Sequence, residues 1–208
     1  MSRIKIIPIL FLFLTVSLNR SFCQDKDRDS WQKPSVIMDT IGVKEGMVIG
    51  EAGAGEGYFT FKLSKRVGEK GKIYANDIDE KALRVIQQRC EREGIANIIT
   101  VLGKEDDPLF PAGEMDMVVM MLAFHEFKNK LKWLENVKRS LKSTASLVII
   151  ERDPDRWGQG HSHFMTKKAV LDTVAKANYE LVRVEMFLPR DNIYIYRLPQ
   201  QTEIESKN

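Results

Sequence analysis

The chain has 208 residues, of which 43% are hydrophobic and 29% are charged. This length suits one domain with a real hydrophobic core, and the composition excludes low-complexity and repeat proteins. The formal charge of +3 comes from residues 1–23, which contain three basic residues and no acid. The remainder is formally neutral, so its charge does not indicate binding to nucleic acid or to an anionic membrane.

The first 23 residues have the pattern of a signal peptide. Arg3 and Lys5 precede an apolar run at 6–18, which is too short to span a bilayer comfortably, and Ser21 and Cys23 are small residues before a possible cleavage site. We predict cleavage after Cys23, export to the periplasm or beyond, and no stable membrane span afterwards. The alternatives are a lipid on Cys23, an uncleaved anchor or a buried strand; without export the protein would be cytoplasmic.

The rest of the chain divides into three parts. Residues 24–45 are an N-terminal segment with a short covering helix, residues 46–198 are the main domain, and residues 199–208 are a polar tail. Apolar residues recur at helical spacing or run together as in strands. In chain order, the predicted elements are a helix at 35–41, a strand at 47–51, a helix at 58–67, a strand at 72–76, a helix at 79–93, strands at 97–102 and 115–122, a helix at 129–141, a strand at 146–151, a helix at 166–177, and strands at 181–188 and 192–196.

These elements predict an α/β fold. The nearly continuous apolar run at 115–122 is typical of a central strand buried on both faces, and the helix at 129–141 should turn Leu131, Leu134 and Leu141 inward. Strands and helices alternate until a final hairpin. The pattern therefore predicts a doubly wound, mostly parallel seven-stranded sheet with a C-terminal antiparallel hairpin and helices on both faces. Ligands of such sheets bind at the carboxyl ends of the strands.

A glycine-rich loop follows the first predicted strand and reads E-x-G-x-G-x-G. Glu51 precedes Gly53, Gly55 and Gly57. Dinucleotide-binding loops read G-x-G-x-x-G, and this chain has Tyr58 where their third glycine stands. Glycine permits positive φ and lets the backbone approach a ligand closely. The loop therefore predicts a nucleotide-like ligand, and its spacing disfavours a dinucleotide.

The loop resembles motif I of the class I S-adenosylmethionine-dependent methyltransferases, a Rossmann-like family with seven strands. The resemblance covers roughly residues 38–197 and implies S-adenosylmethionine as the cofactor. Glu51 would face the amino end of this ligand, which has a sulfonium and no pyrophosphate. Asp77, at the end of the second strand, would accept the ribose hydroxyls, and Ile78 would pack on the adenine. We interpret Asp79 as a helix N-cap.

The loop after the third strand departs from the family pattern. Many members have Gly-Asp-Ala there, with the acid near the adenine amino group. In this chain Gly103 is followed by Lys104, Glu105 and Asp106, so a lysine stands at the usual position of the acid. The resemblance then implies Asp106 as the adenine contact, and a plain solvated loop is the alternative.

His125, just after the fourth strand, is the candidate general base, because the acceptor faces the methyl group there in the family. Methyl transfer is a direct displacement that depends mostly on positioning, so a base is needed only if the acceptor loses a proton. Glu126 is a candidate to orient His125 and contact the acceptor, and His161 and His163 are candidate acceptor contacts. The structural alternatives are a hydrogen-bonded histidine at 125 and a helix start at 126.

We predict no metal site. The histidines at 161 and 163 have Asp153 and Asp155 close in sequence, but a catechol-type metal enzyme would normally place an acid at the end of the fourth strand. An arsenic-methylating enzyme would need several cysteines, and only Cys90 remains after the predicted cleavage.

The sequence thus predicts a methyltransferase that uses S-adenosylmethionine and a small-molecule acceptor, with no nucleic-acid partner. An exported binding module on the same fold is the alternative, because the methyl donor is made in the cytoplasm. A nicotinamide-dependent oxidoreductase is disfavoured by the glycine spacing. The sequence carries no signal for an oligomeric state.

Overall fold

The computed structural model describes residues 27–157 and 163–200. The predicted signal peptide, His161 and most of the predicted polar tail lie outside these residues. The described residues fall into two units that divide between Lys33 and Pro34. In the first unit residues 27–32 are helical, and the second contains the sheet. No helix in the described part of the chain is long and apolar enough to cross a membrane.

Seven strands form one sheet in the order β3-β2-β1-β4-β5-β7-β6. Strands β1 to β5 pair in parallel, and β7 is antiparallel to both β5 and β6. The predicted fold class is therefore confirmed. The strands are β1 Val48–Ala52, β2 Lys72–Asp77, β3 Ile98–Leu102, β4 Met115–Met121, β5 Leu141–Arg152, β6 Glu180–Glu185 and β7 Asp191–Arg197.

Helices cover both faces of the sheet. On one face Ile37, Leu63 and Leu83, from the first three helices, are buried against the strands; on the other face Leu134 and Val174 are buried in a second cluster. Each helix thus buries one apolar stripe, as its sequence period predicts. The helices are α1 Pro34–Ile41, α2 Thr60–Val67, α3 Glu80–Glu93, α4 Lys130–Val137, α5 Pro154–Trp157 and α6 Lys167–Lys176.

The region from α4 to β5 differs from the sequence prediction. Helix α4 ends at Val137, and β5 begins at Leu141 because this residue already pairs with Met115 of β4. The prediction that Leu131 faces inward is wrong: its side chain is 42% exposed, whereas Trp133 is buried. The helical spacing of Leu131, Leu134 and Leu141 predicted a longer helix than the pairing of Leu141 with β4 allows.

The hairpin is confirmed, but its first strand is shorter than predicted. Strand β6 ends at Glu185, and residues 186–190 form the connection. The carbonyls of Met186 and Leu188 accept hydrogen bonds from the Arg156 guanidinium at 3.0 and 2.7 Å. These two carbonyls therefore pair with a side chain of α5 instead of continuing the strand ladder.

Candidate functional site

The glycine loop leaves the carboxyl end of β1 in a conformation that favours glycine. Gly53, Gly55 and Gly57 have φ values of +73°, +54° and +92°. A Cβ atom at Gly53 would also overlap the Cβ of Ala123, which follows β4. The loop is thus packed directly against the next strand end, and this close approach requires glycine at 53.

Asp77 lies at the end of β2 and faces the glycine loop. Its Oδ2 accepts a hydrogen bond from the Gly55 amide at 2.8 Å, and its Oδ1 accepts one from the Asp79 amide at 3.0 Å. Asp79 in turn caps α3 by accepting from the Lys81 amide at 2.8 Å, which confirms the N-cap interpretation. The Asp77 carboxylate is therefore held in place by two backbone donors, and each carboxylate oxygen has a second lone pair for a ligand.

A cavity of about 290 Å³ opens beside this carboxylate. Its lining includes Gly53, Asp77 and Ile78, together with Glu126 and Trp133. His125 is not among the lining residues. The cavity lies where the strand order reverses between β1 and β4, as expected for a ligand site in a doubly wound sheet. Ile78 is 59% exposed there, which leaves an apolar surface for a planar ring.

His125 lies in a short 3-10 turn, Phe124–Glu126, directly after β4. Glu151, a fully buried residue of β5, receives two contacts from it. The backbone amide of His125 donates to Oε2 at 3.0 Å, and Nδ1 lies 2.9 Å from Oε1. An ionised carboxylate only accepts, so Nδ1 is the donor in this contact.

Glu151, and not Glu126, therefore orients the ring of His125. Sequence reasoning missed Glu151, although an acid at the end of a buried apolar strand was a usable signal. The turn is held further by Lys130, whose ammonium group donates to the carbonyls of His125 and Phe127 at 2.9 and 2.6 Å. Burial lowers the pKa of Lys130 below its ordinary value.

Glu126 and His163 complete this end of the site. Glu126 Oε1 lies 2.7 Å from His163 Nε2 and 3.2 Å from His125 Nε2. The two imidazole rings are 4.8 Å apart, and the Phe164 ring lies 4.7 Å from that of His125. The structure thus brings together three of the four predicted catalytic and acceptor-contacting residues; the fourth, His161, lies outside the described residues.

Comparison with known proteins identifies the family. A family model described as the ubiE/COQ5 methyltransferase family matches residues 20–176. The chain belongs to the ubiE/COQ5 methyltransferase family. This membership confirms the predicted class of S-adenosylmethionine-dependent methyltransferases, which the sequence analysis reached from the glycine loop and Asp77.

Individual relatives agree with the family. A ubiquinone/menaquinone biosynthesis C-methyltransferase UbiE from Hydrogenovibrio crunogenus is 29% identical over 122 residues, covering 58% of this chain and 47% of the relative. The chain thus spans about half the length of the curated relatives it matches. The crystal structure of a SAM dependent methyltransferase from Aquifex aeolicus has a TM-score of 0.74 and 28% identity, covering 80% of this chain and 89% of that one.

A more distant structure shows the fold alone. Geranyl diphosphate C-methyltransferase from Streptomyces coelicolor A3(2), in complex with Mg2+, geranyl diphosphate and S-adenosyl-L-homocysteine, has a TM-score of 0.68 and 13% identity. The match covers 83% of this chain and 80% of that chain.

In this member of the ubiE/COQ5 methyltransferase family, Glu51 and Asp106 do not line the cavity. Glu51 is buried at the end of β1, where its Oε2 accepts a hydrogen bond of 2.6 Å from the Thr60 hydroxyl. Asp106 forms an ion pair of 2.5 Å with Lys132 of α4, and the hydrogen bond between them lowers the pKa of Asp106. Asp106 is thus paired with α4 and lies outside the cavity lining, and its contact with adenine stays a prediction.

The reason lies in the turn after β3. The backbone groups of Lys104 and Asp107 pair with each other, with amide-to-carbonyl distances of 2.8 and 3.3 Å, and so close a tight turn. The backbone carbonyl of Asp106 accepts a hydrogen bond of 2.8 Å from the side-chain amide of Asn136, which attaches the turn to α4. Lys104 and Glu105 line the cavity instead, and Glu105 forms an ion pair with Lys128. Glu105 is the acidic residue that sequence reasoning overlooked.

Proposed function

We propose that this protein transfers the methyl group of S-adenosylmethionine to a carbon atom of a small aromatic acceptor. One observation carries the proposal: a single cavity is lined by Gly53 of the glycine loop, by Asp77 and by Glu126, the residue that follows His125. The choice of carbon follows the relatives, which are named as C-methyltransferases of ubiquinone and menaquinone biosynthesis.

The residues around the cavity fit the cofactor. Asp77 offers two oriented acceptor atoms to vicinal ribose hydroxyls, and Ile78 offers an exposed apolar side chain to the adenine. Glu105 takes the role first expected of Asp106 and accepts from the adenine amino group. Glu51 contributes indirectly, by holding the glycine loop in place: its carboxylate accepts a hydrogen bond from Thr60 at the start of α2.

When bound, S-adenosylmethionine supplies a methyl group on a positively charged sulfur, and methylation of an aromatic carbon breaks the sulfur–methyl bond and frees the proton of that carbon. His125 Nε2 accepts this proton, because Glu151 holds the opposite nitrogen as the donor. The Glu151 carboxylate also stabilises the positive charge that forms on the ring. His125 is therefore the proton acceptor, and Glu151 is the residue that positions it.

The test begins with calorimetric titration of the protein with S-adenosylmethionine, S-adenosylhomocysteine and NADH. We expect binding of both sulfur ligands and none of NADH. Asp77→Asn should weaken binding at least tenfold, because it removes the charge and one acceptor that face the ribose. Asp79→Asn is the matched control: asparagine caps a helix as well as aspartate does, so cofactor affinity should not change.

Methyl transfer is then assayed with reduced benzoquinones and naphthoquinones as acceptors. His125→Asn should leave cofactor affinity unchanged and lower kcat by roughly 10²–10⁴-fold, the usual contribution of a general base. If neither sulfur ligand binds, the proposal of a methyltransferase would be overturned, and a non-enzymatic binding module on the same fold would be favoured. Binding of NADH alone would favour the oxidoreductase.

We also propose that residues 1–23 direct export and are removed. The support is the basic start, the short apolar run and the small residues before position 24. Intact-mass measurement of protein recovered from the native cells should give the chain that begins at Gln24. A mass that includes residues 1–23 would contradict cleavage.

A further inference from the structure

Three candidate metal-binding side chains meet at the turn after β4: His125, Glu126 and His163. Of these, Glu126 lines the cavity. One ligand atom from each lies within 4.8 Å of the others. The two histidines present Nε2 to the same carboxylate oxygen of Glu126, at 3.2 and 2.7 Å. His125 is buried, whereas Glu126 and His163 have side chains that are 61% and 64% exposed.

The charges of this cluster call for one additional cation. Both ring nitrogens of His125 face carboxylates, Nδ1 facing Glu151 and Nε2 facing Glu126. A neutral imidazole has one N–H group, and ionised carboxylates only accept, so one of the two contacts sets a lone pair against an oxygen. A metal ion between Nε2 and Glu126 would remove this conflict, and His163 supplies a further ligand for the ion.

We propose that His125 Nε2, the Glu126 carboxylate and His163 Nε2 bind a divalent transition-metal ion of the Zn²⁺ type. Two imidazoles and one carboxylate are a known zinc-ligand set that leaves a fourth position for water or another ligand. Bonds of about 2.1 Å at tetrahedral angles separate the ligand atoms by about 3.4 Å. The observed separations, from 2.7 Å to within 4.8 Å, require only adjustments of the two exposed side chains.

The buried ligand is already oriented for metal binding. Glu151 accepts the Nδ1 proton of His125 and so directs the lone pair of Nε2 toward Glu126 and His163. A carboxylate in this position fixes the tautomer of a metal-binding histidine and makes it a stronger ligand. The ammonium group of Lys130, at the start of α4, donates to two backbone carbonyls of this region.

This site goes beyond the proposed methyl transfer and does not depend on it. An ion on Nε2 occupies the atom proposed to accept the proton of the acceptor, so the two uses of His125 exclude each other. Metal binding can therefore be measured whether or not the protein binds S-adenosylmethionine.

The test uses the whole protein, freed of metal with a chelator and titrated with Co²⁺ followed spectroscopically and with Zn²⁺ followed by calorimetry. We expect one ion per chain, with the visible bands of a four- or five-coordinate Co²⁺ site and histidine ligands. Glu126→Gln and His163→Gln should each weaken Zn²⁺ binding more than tenfold. Glu151→Gln should weaken it by about 10–100-fold, as for other residues that orient a metal ligand.

His161→Gln is the matched control, since it removes a histidine two positions from His163. We expect this variant to bind Zn²⁺ with unchanged affinity. Equal losses in the variants at 161 and 163 would mean chelation by the loop alone and would overturn the site, as would an absence of stoichiometric binding to the wild type. Because Glu126 and His163 are exposed, their variants should fold, and circular dichroism checks this.

Discussion

At the scale of single residues, the two carboxylates beside His125 differ in what they can do. Glu151 is fully buried and makes two contacts with the histidine, one through the backbone and one through the ring. Glu126 is exposed and contacts two imidazoles at the cavity. A buried, fixed acid is suited to orienting the ring, whereas an exposed acid can turn toward a ligand or an ion.

Gly53 offers a test of how tightly the glycine loop is packed. Gly53→Ala should destabilise the protein by roughly 1–3 kcal/mol, because the new methyl group has positive φ and overlaps Ala123. Gly55→Ala is the matched comparison, because its φ is +54° but no atom lies within 4 Å of its Cβ position. Gly55→Ala should lower the free energy of unfolding by only about 1 kcal/mol.

Urea denaturation measures the free energy of unfolding of both glycine variants. The double variant Gly53→Ala with Ala123→Gly should recover the part of the loss that is due to the overlap. Equal losses at 53 and 55 would show that conformation alone, and not packing against Ala123, constrains the loop.

At the scale of secondary-structure elements, the short helix α5 fastens the hairpin to the core. Arg156 donates to the carbonyls of Met186 and Leu188 and to the Asn192 side chain at 2.7 Å. Asn192 also donates to the Asp153 carboxylate at 2.8 Å, on the residue before α5. The end of β5 and the start of β7 are thus joined through side chains, directly before the segment that carries His163.

Arg156→Lys should therefore loosen the connection at 186–190. Lysine keeps the charge but cannot reproduce a planar group that bonds several acceptors at once. We expect a loss of about 1–3 kcal/mol in the free energy of unfolding, together with faster hydrogen exchange at 186–190. Lys168→Arg, at an exposed position of helix α6, is the control and should change neither value. Unchanged exchange in Arg156→Lys would contradict the role assigned to α5.

At the scale of the whole molecule, the strand order creates the site. The chain moves outward from β1 to β3 and then crosses back to β4, so the carboxyl ends of β1 and β4 are neighbours that lead in opposite directions. The glycine loop and the His125 turn leave those two ends. A cavity between them is a consequence of this topology.

Strand β7 carries buried tyrosines, and their burial predicts that the protein loses stability at alkaline pH. Burial raises the pKa of Tyr194 to about 12, and burial also raises the pKa of Tyr196. The folded state then holds the phenol proton more tightly than the unfolded state. The contribution of these tyrosines to stability should be constant below pH 10, the ordinary pKa, and should fall as the pH rises toward the folded value.

Melting temperatures measured from about pH 8 to pH 11 test this dependence. For Tyr194 alone the full effect is on the order of 2–3 kcal/mol. Tyr194→Phe should make the decline less steep, because one titrating group is removed. A decline in the variant as steep as in the wild type would assign the alkaline sensitivity to other groups.

Much of the molecule followed from the sequence alone. Apolar spacing predicted the succession of strands and helices and the closing hairpin, because these patterns report the local backbone. The spacing of Gly53, Gly55 and Gly57, with Asp77 at the next strand end, indicated the ligand class, because such a loop is built from neighbours along the chain. The family match agrees with that interpretation.

Only the tertiary structure decided which side chains meet. Glu151 contacts His125 because β4 and β5 pair in parallel and end together. His163 reaches the same turn from the segment after α5, and Asp106 is drawn to Lys132 while Glu105 lines the cavity. Such contacts depend on strand order and on how loops pack, and a one-dimensional pattern contains neither.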